Sequence, residues 1–231
     1  MRFLRSLIFY IFFYVWTILY FSTFSMVKFF TRNFAFKIAN YWSTVVIKFS
    51  KVILEIDYKV IGLENIPKKP FLIASNHQSV WETFFLPIIF KRSIFVLKYD
   101  LDRIPIFRSY FKKLGFIYVD RNNGYISMKK ILIESKKRIT EGIHSIIIFP
   151  EGTRLNPNQR TILNPGIMAL AKNLSLPILP VKHNSGSYWV NRKFIKNKGK
   201  INLKIFPVIP FNNNKNEVLE KLEKIYYEKL L

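Results

Sequence analysis

Two different hydrophobic patterns divide the chain near residue 55. Residues 6–27 form an uncharged run rich in Phe, Ile and Tyr, long enough to cross about 30 Å of hydrocarbon as a helix. A cleaved signal peptide is the alternative. Its apolar region would be shorter and would end in small residues, which the stretch Ser25 to Phe30 does not provide. The run therefore predicts a membrane-associated helix.

The next segment, Asn33–Leu54, has the spacing of an amphipathic helix. Polar and basic residues recur every three or four positions and share one helix face: Asn33, Lys37, Asn40, Thr44, Lys48 and Lys51. The opposite face carries Ala35, Trp42, Val46, Phe49 and Ile53. The pattern favours a helix in the headgroup region of a membrane. The alternative is a helix that packs this apolar face on a soluble domain.

Residues 1–54 are therefore predicted to form a membrane-anchoring pair of helices. Basic residues flank the first helix at both ends, so the positive-inside rule does not choose a topology. A pair that enters one leaflet and returns satisfies both flanks better than a single span does.

From residue 55 to 231, short apolar runs alternate with helical periodicity. The predicted strands are Tyr58–Ile61, Phe71–Ala74, Ile94–Lys98, Gly115–Val119, Ser145–Phe149, Ile178–His183 and Ile201–Pro207. The predicted helices are Val80–Phe90, Ile106–Leu114, Ile126–Thr140, Pro165–Leu174 and Asn216–Leu230. Several strands are continuous β-branched or aromatic runs, as in strands buried on both faces. The alternation predicts one α/β domain with a mixed, largely parallel sheet flanked by helices.

Composition limits the chemistry that this domain can carry. The 231 residues contain 37 Lys and Arg against 14 Asp and Glu, and the net charge of +23 predicts an anionic partner. Nucleic acid, an anionic membrane and a phosphorylated or acidic substrate all fit. The absence of Cys excludes disulfides, thiolate metal sites and a Cys nucleophile. A multi-His metal site would need nearly all of the three histidines, so no metal or cofactor is predicted.

One His follows a predicted strand directly. His77 comes just after Phe71–Ala74, where α/β sheets place their ligands, and Glu82 lies five residues further on. If a turn precedes the next helix, this carboxylate can reach the imidazole and fix its tautomer, as in a base-plus-orienter pair. A structural His with a surface Glu is the alternative.

Three further segments have a strand-then-turn pattern with residues suited to a ligand. Phe149–Arg154 supplies Gly152 for close backbone approach and Arg154 as a planar fork for phosphate. The second segment runs from Gly115 to Arg121, and the third, Leu176–Val181, has Pro near each end. Taken singly, each is equally an ordinary turn with a solvated Arg, or a strand edge marked by Pro.

Taken in order, these segments resemble the four motifs of the glycerolipid acyltransferase family. They are Asn76-His77-(x4)-Glu82, Gly115-(x5)-Arg121, Phe149–Arg154 and Leu176–Pro180, and the resemblance covers residues 58 to 190 approximately. The family has Asp where this chain has Glu82. The resemblance implies the family's fold and a defined reaction. A fatty acyl group moves from acyl-CoA or acyl-acyl carrier protein to the sn-2 hydroxyl of 1-acyl-glycerol-3-phosphate (lysophosphatidic acid), giving phosphatidic acid for phospholipid biosynthesis.

The resemblance also implies roles for particular residues. His77 would be the general base and Glu82 its orienting carboxylate, with backbone N–H groups of the following helix stabilising the oxyanion. The residues expected around the substrate phosphate and glycerol are Lys98, Arg121, Glu151, Gly152, Thr153 and Arg154. Pro180 would shape the acyl pocket. The implied location is the bacterial inner membrane, on anionic lipid, with the catalytic domain facing the cytoplasm.

Other functions remain open from the residues alone. A related acyltransferase acting on glycerol-3-phosphate or another lysophospholipid would share all four motifs. A basic nucleic-acid-binding protein is the non-enzyme alternative, since residues 113–119 loosely resemble an RNA-recognition strand. Nucleic acid is not the predicted partner, because RNA binding does not explain the uncharged N-terminal run. A membrane-anchored scaffold protein is the third alternative. Of the other histidines, His144 is expected at the surface and His183 near the cleft without a catalytic role.

Overall fold

The computed structural model describes residues 1–98, 105–119 and 124–228. Its helices are α1 (Arg2–Thr23), α2 (Arg32–Leu54), α3 (Trp81–Ile89), α4 (Pro105–Leu114), α5 (Gly124–Thr140), α6 (Gly166–Leu174) and α7 (Lys215–Tyr227). Its strands are β1 (Ile56–Ile61), β2 (Phe71–Ser75), β3 (Ser93–Lys98), β4 (Ile117–Val119), β5 (Ser145–Ile148), β6 (Ile178–His183) and β7 (Gly199–Ile205).

The strands of the described residues form one mixed sheet of seven, in the order β1-β7-β6-β2-β5-β3-β4. Every neighbouring pair is parallel except β6 and β7. The central strand β2 is buried along its whole length, which explains why its sequence is a continuous apolar run. The predicted mixed, largely parallel α/β fold is therefore confirmed.

The two N-terminal helices pack against each other in antiparallel directions. The indole of Trp42 donates a hydrogen bond to the hydroxyl of Thr17 (3.2 Å), and the rings of Phe12 and Phe49 stack at 3.6 Å. A short 3-10 helix, Val27–Phe29, joins the pair. The helices predicted from residues 6–27 and 33–54 are thus present as α1 and α2.

The apolar face of α2 packs on the rest of the protein, which is the second of the two arrangements that its pattern allowed. Ala35, Trp42 and Val46 are buried there, and Trp42 contacts Phe84 of α3 edge-to-face at 5.1 Å. The basic stripe of α2 is left at the surface. The apolar face of α2 is therefore covered by protein.

Helix α1 is buried on one face and apolar on its exposed face. Phe9 and Phe21 pack into the protein. The exposed stripe consists of Phe3, Leu4, Leu7, Ile8, Ile11, Tyr14, Val15, Ile18 and Leu19. Among the described residues, only α1 is long and apolar enough to cross a membrane. Exposed apolar area of this extent marks an interaction surface, and a lipid bilayer suits it.

The predicted strand Gly115–Val119 is wrong at its first two residues, because Gly115 ends the preceding helix. Its φ of +87° is in the left-handed region, and its N–H donates to the carbonyls of Phe111 and Lys112. This is a helix C-cap, which glycine adopts without a Cβ clash. The strand accordingly begins at Ile117.

Candidate active site

His77 lies in the turn between β2 and α3, at the carboxyl edge of the sheet. Its ring is stacked on Phe149 at 3.9 Å and its side chain is 14% exposed. Nδ1 lies 2.9 Å from the Oε1 atom of Glu82. A carboxylate at Nδ1 favours the tautomer with its proton there, which leaves Nε2 free to accept a proton. The predicted His–carboxylate pair is therefore present.

Glu82 reaches back to His77 because it is part of a helix capping box, Ser79-x-x-Glu82. Its Oε1 accepts hydrogen bonds from the amides of Gln78 (2.8 Å) and Ser79 (2.7 Å). The hydroxyl of Ser79 accepts from the Trp81 amide at 3.1 Å. These bonds satisfy the amides of Gln78 and Ser79 in the turn and of Trp81 at the start of α3. The longer Glu side chain thus fits a turn that folds the carboxylate onto the imidazole.

The second oxygen of Glu82 is held by two hydroxyl groups. Ser79 Oγ lies 2.5 Å and Ser185 Oγ 2.8 Å from Oε2, and all three side chains are buried. Ser185 comes from the 3-10 helix after β6, a segment distant in sequence. Glu82 therefore joins two separate parts of the chain below His77.

A second buried histidine, His183, holds the β2–α3 turn at Asn76, the residue before His77. Nε2 of His183 lies 2.9 Å from the carbonyl of Asn76, and Asn76 exchanges two hydrogen bonds with the backbone of His183. Burial lowers the pKa of His183, against the opposing effect of Glu82. A neutral His183 with its proton on Nε2 locks the residue before His77. His183 is therefore a buried structural residue that does not line the cavity.

Electrostatics keep Glu82 ionised despite its burial. Burial alone would raise the pKa of its carboxyl group, but the interactions with the His77 imidazole and the hydrogen bond from Ser79 outweigh this effect. The net result is a pKa below the usual range of a glutamate. An ionised Glu82 can stabilise the imidazolium that forms when His77 takes a proton.

The hydrogen bonds at the start of α3 correct one expectation from the sequence, that backbone N–H groups of this helix stabilise the oxyanion. The amides of Gln78 and Ser79 donate to Glu82, and the Trp81 amide donates to Ser79. These N–H groups are consequently engaged within the protein. The start of α3 caps its own carboxylate and does not supply these three donors to an oxyanion.

Glu151 supports His77 from the opposite side of the turn. Its Oε2 accepts a hydrogen bond of 2.6 Å from the His77 amide, and its Oε1 lies 3.2 Å from the hydroxyl of Tyr227 on α7. Burial raises the pKa of Glu151 to about 7, in spite of these two hydrogen bonds. Its predicted role in binding glycerol stays a prediction, but its contacts are those of a positioning residue.

A large cavity opens in front of His77. Its volume is about 1230 Å³. Much of its wall is apolar, with residues from α1, α2, α3 and α4 that include Phe13, Trp42, Phe84 and Phe107. A second, polar part of the wall comprises Gly152, Thr153, Arg154, Asn191, Arg192 and Lys193. An alkyl chain fits the first region and an anionic group the second.

The structure brings some of the predicted site residues together and not others. Gly152, Thr153 and Arg154 line the cavity with His77, and the Leu155 amide ties their loop to the His77 carbonyl at 2.9 Å. Pro180 is buried within β6, opposite Ala74 of β2, and is not among the lining residues. It therefore lies in the sheet and not in the expected acyl-pocket wall. The side chain of Lys98 and the whole of Arg121 lie outside the described residues.

The sequence interpretation missed Ser79, Ser185, Tyr227 and the basic turn Asn191–Lys193. The Ser79-x-x-Glu82 spacing is itself a capping-box signal and could have shown why a Glu is accommodated here. The other residues are 30 or more positions from the nearest of the first three motifs, and only the fold places them beside the site. His144 is exposed, as expected.

A histidine held by a carboxylate, on the wall of a largely apolar cavity, suits general-base chemistry beside an alkyl chain. The acyltransferase family model matches residues 57–184, more than half of the chain. The chain belongs to this family and is an acyltransferase, which confirms the resemblance carried by the four motifs.

Curated relatives and a solved structure agree with this assignment. The 1-acyl-sn-glycerol-3-phosphate acyltransferase of Pseudomonas aeruginosa is 38% identical over 180 residues, covering 78% of this chain and 69% of the relative. The Saccharomyces cerevisiae enzyme of the same name is 30% identical over 180 residues, covering 76% and 59%. The crystal structure of the 1-acyl-sn-glycerophosphate (LPA) acyltransferase of Thermotoga maritima shares the fold, with a TM-score of 0.81 at 22% identity over 98% and 95% of the two chains.

Replacing Ser185 tests the clamp on Glu82. Ser185→Ala removes one of the two hydroxyl donors to a fully buried carboxylate, and a hydrogen bond to a charged group contributes about 1.5–3 kcal/mol. We expect a lower thermal midpoint and a kcat reduced by roughly tenfold, because Glu82 no longer holds His77 in one orientation. The matched control is Ser187→Ala, since Ser187 is exposed in the same turn. Equal kcat values for the two variants would show that Ser185 does not act through Glu82.

The raised pKa of Glu151 predicts a pH-dependent stability. The carboxyl group of Glu151 has a pKa of about 7 in the folded protein and of about 4.5 in the unfolded chain. Between these two pH values it therefore binds more protons in the folded state. Its contribution to the free energy of unfolding is therefore lost as the pH rises from about 4.5 to about 7. Glu151→Gln cannot titrate. Its thermal midpoint should fall less than that of the wild type between pH 5 and pH 7.5, and parallel curves would contradict the assignment.

Proposed function

We propose that this enzyme transfers a fatty acyl group from an acyl thioester to the sn-2 hydroxyl of 1-acyl-glycerol-3-phosphate, forming phosphatidic acid. The observation that carries the proposal is that His77, held by Glu82, lines one cavity together with many apolar residues and several basic ones. The acceptor has an alkyl chain, a hydroxyl group and a phosphate, which match these three features. The names of its Pseudomonas and yeast relatives support this choice of acceptor.

In the proposed reaction, Nε2 of His77 takes the proton of the acceptor hydroxyl as its oxygen attacks the thioester carbonyl. The new C–O ester bond forms and the C–S bond breaks through a tetrahedral intermediate. The thiolate leaves and takes up the proton from the imidazolium. Glu82, accepting from Nδ1, stabilises the positive charge that the ring carries in between.

Direct attack by the acceptor fits the residues around His77 better than an acyl-enzyme does. The chain has no Cys, and the hydroxyls of Ser79 and Ser185 are both within hydrogen-bond distance of Glu82, on the Nδ1 side of the imidazole. Neither is placed at Nε2, where a nucleophile would have to meet its base. The base therefore acts on the substrate alcohol itself.

The basic end of the cavity would hold the acceptor phosphate. Arg154 offers a guanidinium fork for two phosphate oxygens, and Thr153 adds a hydroxyl group. Gly152, with φ of +69° and open space where a Cβ would lie, allows a ligand to approach the backbone. Lys98 and Arg121 keep their predicted phosphate-binding roles as part of this proposal.

The apolar end of the cavity would hold an acyl chain close to the bilayer. Its wall includes residues of α1, whose other face is the exposed apolar stripe, so a lipid substrate has a short path from membrane to site. We place the enzyme on the bacterial inner membrane, on anionic lipid, with its catalytic domain on the cytoplasmic side, where acyl-CoA or acyl carrier protein is available. The reaction as written requires no metal or cofactor.

The transfer assay with His77→Ala tests the proposal. Purified protein is given 1-acyl-glycerol-3-phosphate and labelled acyl-CoA or acyl-acyl carrier protein, and labelled phosphatidic acid is measured. We expect turnover by the wild type and at least a 10²-fold lower kcat for His77→Ala, because general-base catalysis contributes roughly 10²–10⁴-fold. His144→Ala is the control, since His144 is exposed and distant from the site.

Two variations of this assay separate the alternatives. Glycerol-3-phosphate and other lysophospholipids are offered in parallel, and a higher kcat/KM for one of them would replace the proposed acceptor. The assay is repeated with a chelator, and activity that disappears and returns with added metal would contradict the cofactor-free reaction. Retained turnover in His77→Ala would remove the base assignment.

A further inference from the structure

The cavity has a second basic segment that lies outside the four sequence motifs. Asn191, Arg192 and Lys193 line it together with His77 and Arg154. The match to the acyltransferase family model ends at residue 184, so this turn belongs to the part of the chain that the model does not cover. The fold places its residues in the cavity wall, and no sequence motif indicates them.

Arg192 and Arg154 are close enough to influence each other. Desolvation lowers the pKa of Arg154, and the positive charge of Arg192 lowers it further, whereas Glu82 acts in the opposite direction. In the described part of the chain, neither guanidinium group has a carboxylate within ion-pair distance. Two like charges facing one cavity without a carboxylate between them form a site for an anion that carries more than one negative charge.

The backbone of the turn is held in an unusual conformation. Arg192 has φ of 57°, in the left-handed region that non-glycine residues seldom adopt, and such residues cluster at ligand sites. The buried ammonium group of Lys196 donates to the carbonyls of Val190 (2.9 Å) and Lys193 (2.5 Å), on either side of the turn. These bonds fix the direction in which the turn presents its side chains.

The turn is also attached to the membrane-facing helix. The Lys196 amide donates to the buried hydroxyl of Ser6 on α1 at 3.0 Å. Trp189 packs edge-to-face on Phe9 of the same helix, with ring centroids 5.3 Å apart. The residues that flank the turn therefore anchor it to α1, the helix that carries the exposed apolar stripe.

We propose that Arg192 forms the second half of the phosphate site and binds, together with Arg154, the phosphate monoester of the acyl acceptor. The proposal rests on the proposed function, because it names a further ligand of the same substrate. A phosphate monoester carries up to two negative charges and three acceptor oxygens, which suit two guanidinium forks better than one. Lys196 is a positioning residue that braces the turn.

The same chemistry could serve two other phosphates, those of the acyl donor and those of the surrounding lipid headgroups. The three sources differ in which measurement responds when Arg192 is changed. Binding of the acceptor alters the KM for 1-acyl-glycerol-3-phosphate, and binding of the donor alters the KM for acyl-CoA. Binding of bulk lipid alters the affinity for anionic vesicles.

The test compares Arg192→Ala and Arg192→Lys with the wild type. Each KM is measured with the other substrate held saturating, and binding to phosphatidylglycerol vesicles is measured by sedimentation. We expect Arg192→Ala to raise the acceptor KM roughly ten- to hundredfold, the range for a charged hydrogen-bond partner. The kcat should change by less than about threefold, since this binding acts on ground and transition states alike. Arg192→Lys should recover only part of the loss, because an ammonium group lacks the fork.

Three further variants complete the experiment: Arg154→Ala, the double variant and Lys200→Ala. If Arg154 and Arg192 bind one phosphate, the effects of Arg154→Ala and Arg192→Ala on the acceptor KM should not multiply in the double variant. Lys200→Ala is the control for lost surface charge, because Lys200 is exposed on β7 and does not line the cavity. All of its kinetic constants should match those of the wild type.

Several results would overturn the proposal. They are an unchanged acceptor KM in Arg192→Ala, a rise in the donor KM instead, or a loss of vesicle binding that accounts for the whole effect. A thermal melt checks folding, and if Arg192→Ala does not fold, the acceptor KM of Arg192→Lys decides. A wild type that does not acylate 1-acyl-glycerol-3-phosphate overturns the proposed function, and this inference with it. A wild type that does so, with an Arg192→Ala that is indistinguishable, overturns the inference alone.

Discussion

The hydrogen bond between Glu82 and His77 is the interaction on which the rest of this site depends. The carboxylate is completely buried, so it must be satisfied by hydrogen bonds or be protonated. Two backbone amides, two serine hydroxyls and one imidazole N–H provide those bonds. Because the donors come from the β2–α3 turn and from the segment after β6, the same carboxylate that orients the base also joins the two halves of the site. His183 and Glu151 then fix the backbone on either side of His77.

The positive charge of the chain, +23 in total, is divided between different tasks. The N-terminal part has no acidic residue before Glu55, and two of its arginines pair within the protein, Arg5 with Glu55 and Arg32 with Glu141. These pairs attach the helices to the α/β domain. The basic stripe of α2 remains at the surface, where it can attract anionic lipid. Arg154 and Arg192 face the cavity, where the substrate phosphate is proposed to bind.

The fold was largely predictable from the sequence, because the central buried strands consist mostly of apolar residues. Phe71–Ser75 shows this most clearly, whereas Ile178–His183 is buried along its whole length in spite of Lys182 and His183. The predictions fail where one residue decides the local geometry, as at Gly115, whose left-handed backbone ends a helix inside a β-like run. They also fail for α2, because periodicity identifies an apolar face without showing whether lipid or protein covers it.

The candidate site was predictable only where it is local in sequence. His77 and Glu82 are five residues apart and share one turn, so their contact follows from strand, turn and helix alone. The pairing of β6 with β2 brings Ser185 to the site, and the packing of α7 brings Tyr227. The contacts that join the residues around the Asn191–Lys193 turn to α1 place Arg192. No pattern near His77 specifies these contacts. The same limit applies to Pro180, whose place inside the sheet follows from strand order.

The most direct test of this account is the tautomer of the histidine rings, measured by ¹⁵N NMR of the histidine-labelled protein and assigned with His77→Ala. The hydrogen bond to Glu82 predicts that neutral His77 carries its proton on Nδ1. The bonds of His183 to Asn76 and Ser185 predict the opposite tautomer, with the proton on Nε2. His144 provides an exposed reference. A His77 ring protonated on Nε2 would leave no acceptor for the hydroxyl proton and would contradict the central role of the Glu82 contact.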